Sequence, residues 1–130
     1  MDKKYLEDRL RELGIYSEYY HRLELKALAA MVPYDEKINC ILTGVYEGTR
    51  KMLAVTDARL LIVGAGPLVD TNITVINRGA VSEWKFNRKF LLSSVSFTAQ
   101  GNTYTITQTQ GRREDLFNWA MEQDIKEYEE

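Results

Sequence analysis

At 130 residues, 45% of them apolar, the chain fits one globular domain with a real core. Its longest apolar runs, such as Ala27–Val32 and Leu60–Val63, are too short to cross a bilayer as a helix, and Cys40, the only cysteine, leaves no internal disulfide. The formal charge of −2 conceals a segregation: residues 50–113 carry nine Lys/Arg against three acids (+6), and residues 114–130 carry seven acids against Lys126 (−6).

Met1-Asp2-Lys3-Lys4 leads into an amphipathic segment rather than the apolar core of an export signal, so with the lone cysteine the expected compartment is the cytoplasm. Residues 3–13 read as a helix with Leu6, Leu10 and Leu13 on one stripe, stopped by Gly14. Ser17 is placed as the N-cap of a second helix that runs to Pro33, with Tyr20, Leu23, Ala27 and Ala30 or Met31 on its inner face. Residues 1–34 are thus expected to form a helical hairpin packed on the β-rich domain of residues 35–130.

From Asp35 the period changes. Ile38–Tyr46 is strand-like, Glu47-Gly48-Thr49 turns, and strands follow over Arg50–Thr56 and Arg59–Val63. Gly64-Ala65-Gly66-Pro67 breaks the ladder, Asn72–Ile76 makes a fourth strand, and Asn77-Arg78-Gly79 turns into a fifth, Val81–Phe86, whose Trp84 is read as core. Asn87-Arg88-Lys89 is a hairpin tip. Around Gln100-Gly101-Asn102, Val95 and Phe97 on one side and Tyr104 and Ile106 on the other alternate with Ser and Thr, as in a half-solvated antiparallel sheet. Gly111 opens a last helix with Glu114 and Asp115 in its first turn, and Phe117, Ala120 or Met121, Ile125 or Asp124, and Tyr128 on its stripe. This helix is expected to fill one end of a seven-stranded barrel with Phe117, Trp119 or Met121.

The apolar runs Met52–Val55 and Leu60–Val63 flank Thr56-Asp57-Ala58-Arg59. A strand leading into Thr56-Asp57, Arg59 and Leu60, followed by Leu61-Ile62-Val63, resembles the signature of bacterial PH-like domains of the YokE-like type, over about residues 35–128. Ala58 departs from the pattern, which often has a basic residue there. The resemblance implies a mainly β fold with α elements: a PH-like seven-stranded antiparallel barrel or sandwich, capped by the C-terminal helix and preceded by the helical hairpin. It also implies a binding scaffold, since PH-like folds bind phosphoinositides, peptides or protein surfaces, and some self-assemble into rings. From the residues themselves, Asp57 is expected to shape the turn by bonding its own backbone two residues on, with Arg59 reaching back to it or across the strand.

Little in the chain points to catalysis. A nucleophilic centre would have to use His21, the only histidine, which lies far in sequence from Cys40. One His and one Cys do not build a zinc site, and Gly64-Ala65-Gly66 has neither the third glycine nor the Lys-Ser/Thr of a phosphate loop. No enzyme activity, metal or cofactor is therefore expected. Two surfaces are candidates. Arg50, Lys51, Lys85, Arg88 and Lys89 form an anion- or lipid-binding edge if their tips share a rim. Tyr16, Tyr19, Tyr20 and Tyr34 crowd the helical hairpin and suit a protein interface. The reading is a cytoplasmic interaction module that binds a protein or a second copy of itself. The alternative is a peripheral binder of anionic lipid through the basic tips. Nucleic acid is not expected of so acidic a chain.

Overall fold

The structure is a computed structural model and describes residues 1–65 and 73–127. Seven antiparallel strands form one continuous sheet: β1 (Ile38–Tyr46), β2 (Thr49–Thr56), β3 (Arg59–Gly64), β4 (Ile73–Asn77), β5 (Val81–Asn87), β6 (Ser93–Ala99) and β7 (Asn102–Thr109). Their spatial order is β4-β3-β2-β1-β7-β6-β5, so β4 and β5 are the edges and the β1–β7 pairing joins two meanders. That seam is tight. A Cβ on Gly44 would meet Thr107 O and lie 2.6 Å from Ile106 Cγ2, so only glycine lets β7 cross β1 there. The β1–β2 turn is Glu47-Gly48 (φ 51° and 80°) and the β6–β7 turn is Gln100-Gly101 (φ 51° and 81°). Both are the positive-φ pairs that match the twist of a two-residue hairpin.

Strands β2 and β3 carry the unbroken apolar runs Met52–Val55 and Leu60–Val63 because both faces of this part of the sheet are covered. On the inner face Leu42, Leu53, Leu60 and Ile62 pack with Phe86, Val95, Phe97 and Ile106, and helix α4 (Glu114–Glu122) closes this core. On the outer face Ile41, Met52, Ala54, Leu61 and Val63 pack against three short helices, α1 (Lys3–Glu12), α2 (Tyr16–Tyr19) and α3 (Glu24–Met31). In α1, Leu6 and Leu10 are buried, Asp2 caps the start by accepting from Tyr5 N at 2.7 Å, and Gly14 (φ 76°) ends it.

The expected second helix is two helices, and Ser17 lies inside the first of them rather than capping it. The reason is geometric. Tyr19 and Leu25 are six residues apart, about 120° round a continuous helix, yet both face the core. Breaking the helix at residues 20–23 turns both inward. The inner face of α3 becomes Leu25, Leu28, Ala29 and Val32, while Tyr20 and Leu23 of the expected stripe face solvent.

Helix α4 buries Phe117, Ala120 and Met121 as its stripe predicts, with Trp84 edge-on to Phe117 at 5.9 Å. Trp119 does not fill the barrel; it is 42% exposed. The helix ends at Glu122, so Ile125 is beyond it. Gly66, Pro67, Asn72 and Tyr128, which the sequence placed in a loop, a strand and a helix stripe, lie outside the described residues.

Candidate interaction surface

The β2–β3 turn is held by hydrogen bonds and an ion pair within the chain. Thr56 Oγ1 accepts from the backbone N–H of Ala58 (3.0 Å) and Arg59 (2.7 Å) and donates to Glu36 (2.7 Å). The buried Arg59 guanidinium grips Glu36, with Nε and Nη2 at 2.9–3.2 Å, and donates to Met31 O. Asp57 accepts from Lys37 N at 3.0 Å. Two expectations change here. Threonine, not Asp57, caps the turn, because its hydroxyl already accepts both N–H groups. Arg59 pairs with Glu36 rather than Asp57, since Asp57 points to the neighbouring segment. Leu60 is core, and Ala58 is buried with its carbonyl accepting from Arg78 N. The turn ties residues 31–37 to the barrel.

The four tyrosines do not make one patch. Tyr19 is buried; its hydroxyl meets Arg113 Nε (3.2 Å) and Gln110 Oε1 (3.3 Å), and burial pushes the phenol pKa up. Tyr16 is half-buried beneath the Arg11 guanidinium, 4.0 Å from the ring centroid, with the exposed Tyr20 ring 5.5 Å away. Tyr34 lies elsewhere, donating to Asp2 (2.9 Å) and standing edge-on to Tyr5.

The basic set divides as well. Lys51 is buried, with its ammonium 5.3 Å from the Tyr46 ring centroid, so it belongs to the wall of the sheet and not to a tip. Arg50 is exposed at the start of β2, and Lys85 is exposed on the edge strand β5. Arg88 and Lys89 meet a residue the sequence did not group with them. With Arg112, at the turn leading into α4, they line a hollow of about 550 Å³ that Phe90, Leu91 and Gly111 complete. Lys89 N donates to Ser93 Oγ (3.1 Å) and closes the base of the 88–92 connection. A Cβ on Gly111 would lie 3.1 Å from Ser93 Oγ and in ordinary contact with Arg88, 3.4 Å from its Nε.

Among the described residues, the most exposed large apolar side chain is in this connection. Phe90, Leu91 and Leu92 are 98%, 81% and 55% exposed, three large apolar side chains in succession. The sequence held a signal for them. Strand alternation resumes only at Ser93, so these residues belong to neither strand face.

Two acids face the cations. Glu114 lies 3.7 Å from Arg88, and Glu18 of α2 accepts from Arg112 at 3.0–3.1 Å beside Arg113. Burial raises the Glu18 carboxyl, but the hydrogen bonds from Arg112 and Arg113 outweigh it, and its pKa lies below the usual value. Among the described residues no carboxylate is within ion-pair distance of Lys89.

The family model described as "Bacterial PH domain" matches residues 33–118, well over half of the chain. The chain belongs to the bacterial PH domain family. The matched stretch of this bacterial PH domain holds both the Thr56–Arg59 turn and the Arg88–Leu92 loop, and leaves α1–α3 outside it. Two solved structures are similar: a DUF1696 family protein with a pleckstrin-homology domain from Shewanella loihica (14% identity, 72% of this chain and 90% of that one, TM-score 0.43), and a pleckstrin homology domain from Shewanella amazonensis (12% identity, 72% and 82%, TM-score 0.45). No curated protein sequence matches. Among the described residues of this PH domain no helix is long and apolar enough to cross a membrane, and no three His, Cys, Asp or Glu side chains are grouped to hold a metal ion.

Proposed function

We propose that this bacterial PH domain is a non-enzymatic, cytoplasmic interaction module whose working surface is the Arg88–Leu92 loop backed by Arg112. The observation that carries the reading is the near-complete exposure of Phe90 with Leu91 and Leu92 beside it. Covering each such side chain is worth about 1.5–3 kcal/mol, a gain that the isolated chain leaves unused. A partner for this surface offers apolar contact and negative charge together. The one histidine and the one cysteine support a non-catalytic role by their separation: His21 is exposed beside Tyr20, whereas Cys40 is buried and its thiol is pushed up to about 12.

A second reading, self-assembly, has its own support. Exposed Trp119 and Ile125 lie among Glu122, Asp124 and Glu127, so this end of the molecule complements the loop of another copy in both charge and apolarity.

The test is co-purification of the tagged full chain from its native lysate, with proteins and lipids both identified in the eluate. Phe90→Ser/Leu91→Ser is expected to lose what the wild type retains, and Tyr20→Ala and Tyr34→Ala to keep it. The reverse pattern would move the surface to the N-terminal helices.

A further inference from the structure

Strand β4 carries a second stretch of uncovered apolar surface, at the other end of the strand order from β5 and its loop. We infer that its free edge takes up an extended, uncharged strand of a partner protein, which joins the sheet beside β4. This site is separate from the Arg88–Leu92 loop and goes beyond the reading given above. The pleat fixes which way the β4 side chains face. Thr74 and Ile76, opposite Ile62 and Leu60, turn to the inner core. Ile73 and Val75, opposite Val63 and Leu61, turn to the outer face. There Val63 and Leu61 are fully buried among the residues that pack on the N-terminal helices, whereas Ile73 and Val75 are 37% and 47% exposed. The helical cover stops one strand short of the edge. It leaves an apolar ledge beside a row of backbone groups that no described strand pairs.

The two edges of the sheet are built differently. Strand β5 exposes Glu83 and Lys85, and its register with β6 is broken between Val81 and Glu83. Charges and a bulge are what keep a foreign strand off an edge. Strand β4 has neither. Its sequence Ile-Thr-Val-Ile-Asn holds no charge, proline or glycine, and it pairs with β3 in unbroken register from Ile73 to Asn77. The edge also defines its occupant. An added strand bonds through its main chain to alternate residues of β4, and its own side chains two residues apart cover Ile73 and Val75. Branched apolar side chains suit that ledge, and β4 offers no charge to pair with an ionic one. Five residues span roughly 17 Å. A second folded copy meeting the chain along this edge alone would bury far less than the roughly 800 Å² per partner of a stable interface. A linear strand needs only the edge.

The experiment is selection of phage-displayed random peptides on the full chain, with the selected sequences synthesised and titrated in solution. They are expected to carry Val, Ile or Thr at residues two apart, with no charge among them. Ile73→Lys and Val75→Lys are each expected to weaken binding at least about tenfold while unfolding at the wild-type temperature. Phe90→Ser/Leu91→Ser is expected to bind as wild type does. N-methylation of alternate peptide amides is expected to cost at least about tenfold, and of the amides between them little, because only every other residue of an added strand bonds to its neighbour. Selection that yields no such peptides, or binding that survives both lysine variants or ignores the position of N-methylation, overturns the inference. Binding lost in Phe90→Ser/Leu91→Ser but kept in the lysine variants assigns the peptide to the loop, so the loop stands and the edge falls. Wild-type dimers in sedimentation that Val75→Lys abolishes place a second copy on β4 and overturn the foreign strand.

Discussion

The β2–β3 turn and the β5–β6 loop are both short connections bearing cations, and they have opposite fates. In the turn, Arg59 is buried against Glu36 and Thr56 satisfies two N–H groups, so these side chains hold the fold. In the loop, Lys89 has no carboxylate partner among the described residues, and Phe90–Leu92 contribute little to the core. The segment that carries the recognisable family pattern thus serves architecture, and the segment without a pattern carries the unspent chemistry. A signature marks what the fold requires; a binding surface is better sought where bonds and burial are missing.

The comparison is broken most directly at the buried pair. Arg59→Ala leaves Glu36 charged and buried, and is expected to cost about 3–5 kcal/mol in chemical denaturation. A cost near that of a surface substitution would deny the turn its structural role. Thr56→Val removes the acceptor of two N–H groups and is expected to cost about 1–3 kcal/mol, whereas Thr56→Ser keeps most of the stability.

The brace between α2 and the start of α4 sharpens the contrast with pH. Glu18 has a folded pKa below its ordinary value of 4.5, so its contribution is fully present above that value and is lost as pH falls through the folded value. Wild type is expected to exceed Glu18→Gln in stability by about 0.2–1 kcal/mol near neutrality, a modest margin for a partly exposed pair, and the two denaturation midpoints should converge on acidification. A constant difference across the titration would assign the effect to packing. The smallest effect belongs to the loop: Phe90→Ser/Leu91→Ser is expected to leave stability within about 0.5 kcal/mol of wild type. A larger loss would mean that the tip packs on the domain.

Much of the fold was legible because it rests on local periodicity and turn chemistry. The continuous apolar runs of β2 and β3, the alternation in β6 and β7, and the Glu47-Gly48 and Gln100-Gly101 turns each follow from rules that act within a few residues. The break between α2 and α3 was not legible. It exists because Tyr19 and Leu25 both find the outer face of the sheet, a tertiary demand that helical periodicity does not contain. Glu36 as the partner of Arg59 was hidden for the same reason, being 23 residues away in the chain. The candidate surface was half visible. Arg88 and Lys89 were singled out by charge, but Arg112 joins them only in three dimensions, and the burial of Lys51 depends on the Tyr46 ring beside it. Phe90–Leu92 are apolar, which in sequence marks a core residue, and only the structure places them outside it.

The most direct test of the loop as the working surface is site-specific photo-crosslinking in intact cells, with a benzophenone side chain placed at Phe90, Tyr20 or Tyr34 of the full chain. All three positions are exposed and aromatic, so the substitutions are comparable. Adducts from position 90 and none from 20 or 34 are the predicted result, whether the adduct is lipid or protein. Adducts from 20 or 34 with none from 90 would contradict it and assign binding to the N-terminal helices.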